Sequence, residues 1–200
     1  MESKTPESYT AVRRKSSVVV PAQRESNTLY QNGYGTQLAE EGVLTLTPCE
    51  TLYLVETGRL SVLSEETRQP LSFSDLLLSF TPADKLIWTR YLVFRDLRSK
   101  GLVVRPGYDQ GIDFLVYARG DFGKRPPKYL IYAIWEGEPK TMDELVELVK
   151  LAQQREKEVR IAVIDRRGEI VHYSLQELNL AEVKDLTDGE EARDPRQTEP

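Results

Sequence analysis

The chain has 200 residues, 40% of them hydrophobic and 30% charged, with a net charge of −5. That length fits one or two domains, and the apolar fraction suffices for a core. A single cysteine, Cys49, and a single histidine, His172, exclude an internal disulfide, a cysteine-cluster metal site and a multi-histidine site. No apolar run approaches the ~20 residues of a membrane span.

In chain order, residues 1–26 are mostly polar and read as a flexible segment, with residues 17–20 a short strand. Arg13-Arg14-Lys15 reads as solvated tail. The polar start has no apolar signal-peptide core, so the expectation is a cytoplasmic (intracellular) protein. Residues 27–81 read as a small N-terminal mixed α/β domain. The stretch 27–42, rich in glycine and tyrosine, is expected to be a loop with a short helix. Thr47-Pro48-Cys49-Glu50 then carries a helix start: threonine at the N-cap, proline at the first helical position and glutamate at the third. That helix is expected to stop at Gly58, with Leu52, Val55 and Tyr53 inward. A strand over 60–63 and a helix over 72–80 follow. Thr81-Pro82-Ala83-Asp84 repeats the start signal, and the domain boundary is placed near it.

Residues 82–180 read as a second domain. Tyr91, Leu92, Phe94, Arg95, Leu97 and Arg98 fall at helical spacings, and Gly101 supplies the stop. Strands are expected at 102–104, 112–117 and 128–135, separated by a turn at Pro106-Gly107 and a turn-rich stretch over 118–127. A capping box, Thr141 to Glu144, opens a helix to about residue 156 with Leu145, Val146, Leu148, Val149 and Ala152 inward. Strands at 159–164 and 170–175 flank a tight turn from Asp165 to Glu169. The fold class is therefore α/β (α+β): a mixed sheet flanked by two helices, in the order α-β-β-β-α-β-β, behind the smaller domain. The polar residues 186–200 read as a disordered tail.

Three segments, RYLVFRDLRSKGLVVRPGYDQGIDFLVY, PPKYLIYAI and LVKLAQQREKEVRIAVIDRRGEIVHY, together resemble the tRNA-splicing (tRNA-intron) endonuclease family. LYQNGYG, LTPCETLYLVETGRLSV and PLSFSDLL are similar to that family's N-terminal domain. The resemblance spans about residues 27–178 and implies an archaeal-type, metal-independent enzyme without cofactors. Such an enzyme cleaves precursor tRNA at intron boundaries, leaving a 2′,3′-cyclic phosphate and a 5′-hydroxyl. The family is thought to use tyrosine, histidine and lysine. Carried over by motif, the tyrosine is Tyr117 and the lysine Lys157. Pro126 or Pro127 occupies the histidine position, and Asp109-Gln110 replaces a basic-aromatic pair before Gly111. The resemblance thus implies a structural, non-catalytic subunit that pairs with a catalytic subunit of the same fold, two pairs forming a heterotetramer on precursor tRNA.

Read residue by residue, Tyr117 is also an ordinary strand-end tyrosine, and Lys157 an ordinary charge at a helix end. His172 alternates with Val171 and Tyr173, which favours packing or an interface over catalysis. Arg119, Lys124, Arg125 and Lys128 form a candidate basic patch for RNA. Asp165, Glu169, Ile170, Val171, His172 and Tyr173 are candidate subunit-interface residues. In the family the turn before the last strand is an acidic loop that docks into a basic cleft of a partner; here Arg166 and Arg167 sit inside it. Two further readings are a weakly active endonuclease using Tyr117 and Lys157, and an RNA-binding module with no role in splicing.

Overall fold

A computed structural model describes residues 8–15, 17–37, 43–107 and 111–177. Asp109, Gln110 and the tail over 186–200 lie outside the described residues. The chain builds two mixed sheets. The first contains β1 (Tyr9–Arg14), β2 (Ser17–Val20), β3 (Thr36–Gln37), β4 (Leu44–Leu46), β5 (Leu60–Ser64) and β6 (Pro70–Leu71), in the order β3-β4-β2-β1-β5-β6. It carries α1 (Gln23–Gln31), α2 (Pro48–Glu56) and α3 (Phe73–Phe80). The second contains β7 (Val103–Pro106), β8 (Phe114–Tyr117), β9 (Tyr129–Trp135), β10 (Glu158–Ile164) and β11 (Ile170–Leu175), in the order β11-β10-β9-β8-β7. Here α4 (Ile87–Ser99) covers one face and α5 (Met142–Gln154) part of the other. The order α4-β7-β8-β9-α5-β10-β11 is the one expected from sequence.

Two expectations are corrected. The first is the flexible segment over 1–26. Tyr9–Arg14 pairs in parallel with β5, Tyr9 opposite Leu60, and antiparallel with β2, and α1 follows directly. The first sheet therefore begins well before residue 27. Tyr9 and Ala11 are buried on one face of β1, which supplies the period-two signal hidden by the polar neighbours. The second is the start signal at Thr81, which opens no helix. Thr81 is the C-cap of α3, and its hydroxyl donates to the Leu77 carbonyl. Helix α4 starts at Ile87 with no side-chain cap. The acid of the signal is used differently: Asp84 Oδ1 accepts from Leu86 N–H, and Oδ2 pairs with Arg90 at 2.7 Å.

Other signals are used as written. Thr47–Glu50, Ser72–Asp75 and Thr141–Glu144 are complete capping boxes. On α2 it is Leu54, with Leu52, that is fully buried, while Val55 is half-buried; on α5 Val146 is exposed. Four helices end in the same double closure, in which the first residue past the C-cap and the next donate back into the last turn. These are Gly33 with Tyr34, Gly58 with Arg59, Gly101 with Leu102, and Glu156 with Lys157.

The two sheets share one core. A single apolar cluster runs from Val18, Leu29 and Leu44 through Leu52, Tyr91 and Phe94 to Phe114, Ile131 and Ile164. A smaller cluster lies under α5, around Leu130, Leu148 and Val159. Polar contacts lock the same junction. Glu50, whose side chain is 1% exposed, pairs with Arg105 of β7 at 3.3 Å and accepts from Gly35 N–H and Thr47 N–H. Arg105 also donates to the Gly33 carbonyl. Arg98 of α4 donates to Tyr34 Oη, the Asn32 carbonyl and the Leu102 carbonyl, with its guanidinium 3.9 Å from the Tyr34 ring centroid. At Gly33, φ is +78° and a Cβ would stand 2.4 Å from Val103 Cγ1, so only glycine lets the first sheet come this close to β7.

Removing one member of a buried ion pair leaves the other uncompensated. Arg105→Ala is therefore expected to destabilise the fold by about 3 kcal/mol, read as a lower denaturant midpoint. An unchanged midpoint would show that Glu50 is satisfied by its N–H donors alone.

Candidate functional site

The residues singled out by motif meet at one end of the second sheet. Val116 of β8 stands opposite Tyr129 of β9, which stands opposite Glu158 of β10. One step further, Tyr117, Lys128 and Lys157 form the next row. Two backbone hydrogen bonds stitch that end: Lys128 N–H donates to the Val116 carbonyl and Glu158 N–H to the Lys128 carbonyl. With strands ~4.8 Å apart, the Cα atoms of Tyr117 and Lys157 are separated by about 10 Å, with Lys128 between them. Pro126 and Pro127 lead into that middle position.

Tyr117 is half-buried and meets Phe122 edge to face, ring centroids 5.2 Å apart. Lys157 is placed by the end of α5. Its N–H donates to the Ala152 carbonyl, and Nζ lies 3.3 Å from the Glu156 carbonyl oxygen. Lys128 turns away from its row neighbours: Nζ lies 5.0 Å from the Tyr129 ring centroid and 3.7 Å from Glu158 Oε1. Tyr129 and Glu158 together raise its pKa, so it holds its proton firmly. Among the described residues no hydrogen bond or ion pair joins Tyr117, Lys128 and Lys157.

His172 is elsewhere. It faces α4, with Nε2 2.9 Å from Asp96 Oδ2, and Asp96 also holds Lys100 at 2.7 Å. His172 stands opposite Ala162, five positions along β10 from Lys157, about 17 Å at ~3.3 Å per residue. Val171 and Tyr173 point to the opposite face and are 48% and 54% exposed. Strand β11 ends the sheet and pairs only with β10 among the described residues. In the turn before it, Asp165 Oδ1 accepts from Arg167 N–H and Glu169 N–H, and the Glu169 hydrogen bond leads in holding the Asp165 pKa down.

Of the remaining basic candidates, Arg119 donates to the Lys100 carbonyl at 2.6 Å, tying β8 to the end of α4. Arg125 is exposed and 3.9 Å from Asp121. Lys124 is exposed on the same loop. A cleft of about 520 Å³ lies where the loop meets the first sheet, lined by Asn32, Tyr34, Arg59, Arg98, Phe122 and Lys124 among others. Sequence reasoning missed the contributions of Arg59 and Arg98, because they come from separate elements. A second cavity, about 610 Å³, holds Cys49, Asp84, Arg90, Asp113 and Lys140. Burial raises the pKa of the Asp113 carboxyl, and Arg90 at 2.6 Å and Ala133 N–H oppose that rise.

Residues 9–77 match the tRNA intron endonuclease N-terminal domain, and residues 87–173 match the tRNA intron endonuclease catalytic C-terminal domain. A tRNA-splicing endonuclease of Methanococcus maripaludis is 34% identical over 140 residues, covering 70% of this chain and 78% of the relative. An EndA-like protein of Methanopyrus kandleri is 33% identical over 165 residues, 82% of this chain and 95% of the relative. A tRNA-splicing endonuclease of Thermococcus kodakarensis is 28% identical over 154 residues, 77% of this chain and 89% of the relative.

The closure that sets Lys157 carries a cost. Glu156 has φ of +54°, where the other three helices closed this way use glycine. Relief of that strain predicts that Glu156→Gly raises stability by about 1 kcal/mol, a rise in Tm of ~2–4 °C for a chain of this size. A fall in Tm would show that the strain is absent.

Proposed function

Because the chain belongs to the tRNA intron endonuclease family, we propose that it is the structural subunit of a hetero-oligomeric tRNA-splicing endonuclease. In this reading it pairs with a catalytic subunit of the same fold, and two such pairs hold precursor tRNA. One observation carries the proposal. The sheet end that gathers Tyr117 and Lys157 has Pro126-Pro127 leading into the position between them, and the only histidine, His172 on the far strand β11, is bound to Asp96 of α4.

The chemistry explains why that matters. Forming a 2′,3′-cyclic phosphate needs a base for the 2′-hydroxyl, an acid for the leaving 5′-oxygen and a cation for the phosphorane charge. Tyr117 and Lys157 retain a phenol and an ammonium. Proline has no titratable group, and loss of one acid-base group typically slows such a reaction ~10²–10⁴-fold. Lys128, the remaining cation of the row, is turned toward Glu158, with Nζ 3.7 Å from Oε1.

The partner contact is assigned to β11 and the turn before it. An apolar edge strand with Val171 and Tyr173 exposed is an invitation to strand pairing. Asp165 and Glu169 begin and end the turn, and Arg166 and Arg167 between them make it charge-balanced. The cleft floor around Arg59 and Arg98 suits an acidic segment of the partner. Among the described residues Arg98 donates to neutral oxygens there and lies over the Tyr34 ring, with no carboxylate paired to it. Contact with precursor tRNA is assigned to Arg119, Lys124, Arg125 and Lys128.

The test mixes the purified chain with a catalytic homologue and an intron-containing tRNA precursor. Alone it is expected to leave the precursor intact, and together the two cleave it. Tyr117→Phe and Lys157→Ala in this chain should change the mixture's rate by less than about threefold, where a working acid-base group would cost ~10²-fold or more. Cleavage by this chain alone that disappears on Tyr117→Phe would overturn the assignment and favour a weakly active enzyme. A second measurement addresses the interface. Tyr173→Glu should leave the chain's own stability within ~0.5 kcal/mol, as surface changes do, yet abolish co-elution with the partner. Co-elution that persists would remove β11 from the interface.

A further inference from the structure

Three aromatic side chains stand apart from both apolar clusters. Phe122 lies in the β8–β9 loop, Tyr117 ends β8, and Tyr30 sits near the end of α1; none belongs to either core. They meet one another instead. Tyr117 and Phe122 are perpendicular at 5.2 Å between centroids, and Tyr30 and Phe122 are 6.5 Å apart at 70°. Edge-to-face contacts use one ring's edge, so ring faces are left over. The run crosses the seam between the two sheets, and Tyr30 is 40% exposed at its outer end.

The loop presents Phe122 deliberately. Asp121 N–H donates to the Ala118 carbonyl, and Lys124 and Arg125 N–H groups both donate to the Asp121 carbonyl, so the loop is a wound turn. Gly120 and Gly123 bracket Phe122 with φ of +79° and +77°, and nothing lies within 4 Å of where a Cβ would stand at either. The backbone on both sides of the ring is therefore bare. The surroundings are cationic. Lys124 and the weakly paired Arg125 are exposed beside the ring, and the Arg105 guanidinium, already paired with Glu50, lies 5.8 Å from its centroid. Tyr30 is exposed and Phe122 partly exposed, and rings that reach solvent beside cations are what unpaired nucleobases and their phosphates require.

We propose that Phe122 and Tyr30 form a stacking platform for unpaired bases of the RNA, backed by Tyr117, with Lys124 and Arg125 holding the neighbouring phosphates. The platform deepens the subunit reading above and rests on it for the identity of the RNA. It adds a role for the first sheet, since Tyr30 comes from α1. It also predicts a preference for single-stranded over fully paired RNA, because paired bases offer no free face.

The experiment is fluorescence anisotropy with the full chain, using a labelled eight-nucleotide single-stranded RNA and a blunt, fully paired RNA duplex as probes. Phe122→Leu and Tyr30→Leu should each weaken single-strand binding about five- to thirty-fold and leave duplex binding unchanged. The slope of log affinity against log salt should stay the same for both. Lys124→Ala should instead reduce the single-strand slope by about 0.7. Phe122→Tyr, which keeps a ring, should retain the affinity, and denaturant midpoints check that each variant is folded. Unchanged single-strand affinity in folded Phe122→Leu overturns the platform. So does weakened association with the catalytic partner without a change in RNA binding, which would assign the rings to a protein interface. A wild-type chain that binds neither probe yet activates the partner sinks the platform and spares the subunit reading. Ring-dependent RNA binding without activation of the partner does the reverse.

Discussion

The buried pair between Glu50 and Arg105 is the constraint on which the arrangement of the molecule depends. Glu50 starts α2 and belongs to the first sheet; Arg105 lies on β7 and belongs to the second. A carboxylate so deeply buried is tolerable only when its oxygens are fully used, and here they are: Gly35, Thr47 and Arg105 all donate to them. A buried ion pair of this kind contributes little net stability against a hydrophobic replacement. What it contributes here is position. Arg105 donates at the same time to Gly33, so the segment after α1 cannot shift along β7 without breaking the bonds of Gly33 and Thr36 to Arg105 and of Gly35 to Glu50. The closing helix turn at Gly33 and the Arg98 clamp on Tyr34 act on the same few residues. The end of α1 is thereby held beside the β8–β9 loop, and the aromatic run across the seam follows.

The second sheet sets the other half of the geometry. Parallel pairing of β9 with β10, and antiparallel pairing of β8 with β9, bring the end of β8 and the starts of β9 and β10 to one edge. Residues separated by 40 positions in sequence thus share a row. The same register carries His172 away from them, because β11 runs antiparallel to β10 and meets α4 through Asp96. No rotamer change can return that imidazole to the Tyr117 row; the distance is fixed by strand length, not by side-chain flexibility.

Local signals were legible in the sequence where their partners are local. The capping boxes at Thr47 and Thr141 and the glycine stops at Gly58 and Gly101 need only neighbours within a turn, and all four appear as read. Strand β1 was not legible, because its parallel partner β5 lies about 50 residues away and Arg13-Arg14 resembles a solvated tail. The Thr81 signal misled because a cap, a proline and an acid also suit a turn in which the acid serves Leu86 and Arg90. The positions carried over by motif were legible, but their relation was not: the row of Tyr117, Lys128 and Lys157 exists only in the sheet register. Glu50 was legible as a capping residue, and its buried charge was not, since Arg105 is 55 positions along the chain.

Charge distribution argues the last step. A net charge of −5 is unfavourable for a protein that must approach RNA, unless its cations are concentrated where the RNA lies. Part of the basic content is neutralised in place: Arg14, Arg90, Arg95, Lys100, Arg105 and Lys140 all face carboxylates at 3.3 Å or less. Arg98 and Arg119 are turned toward neutral oxygens instead, and Arg125 stands 3.9 Å from its nearest acid. Arg59 and Arg98 line the cleft proposed for the partner's acidic segment, while Arg119, Lys124 and Arg125 stand beside it at the end of β8. The aromatic rings excluded from both cores stand at the seam between the two sheets. The proposed stacking platform rests on this coincidence of weakly paired charge with the exposed Tyr30 ring and the partly exposed Phe122 ring. In the proposed subunit role, Pro126-Pro127 at the edge of that surface supply no titratable group, which separates holding the RNA from cutting it.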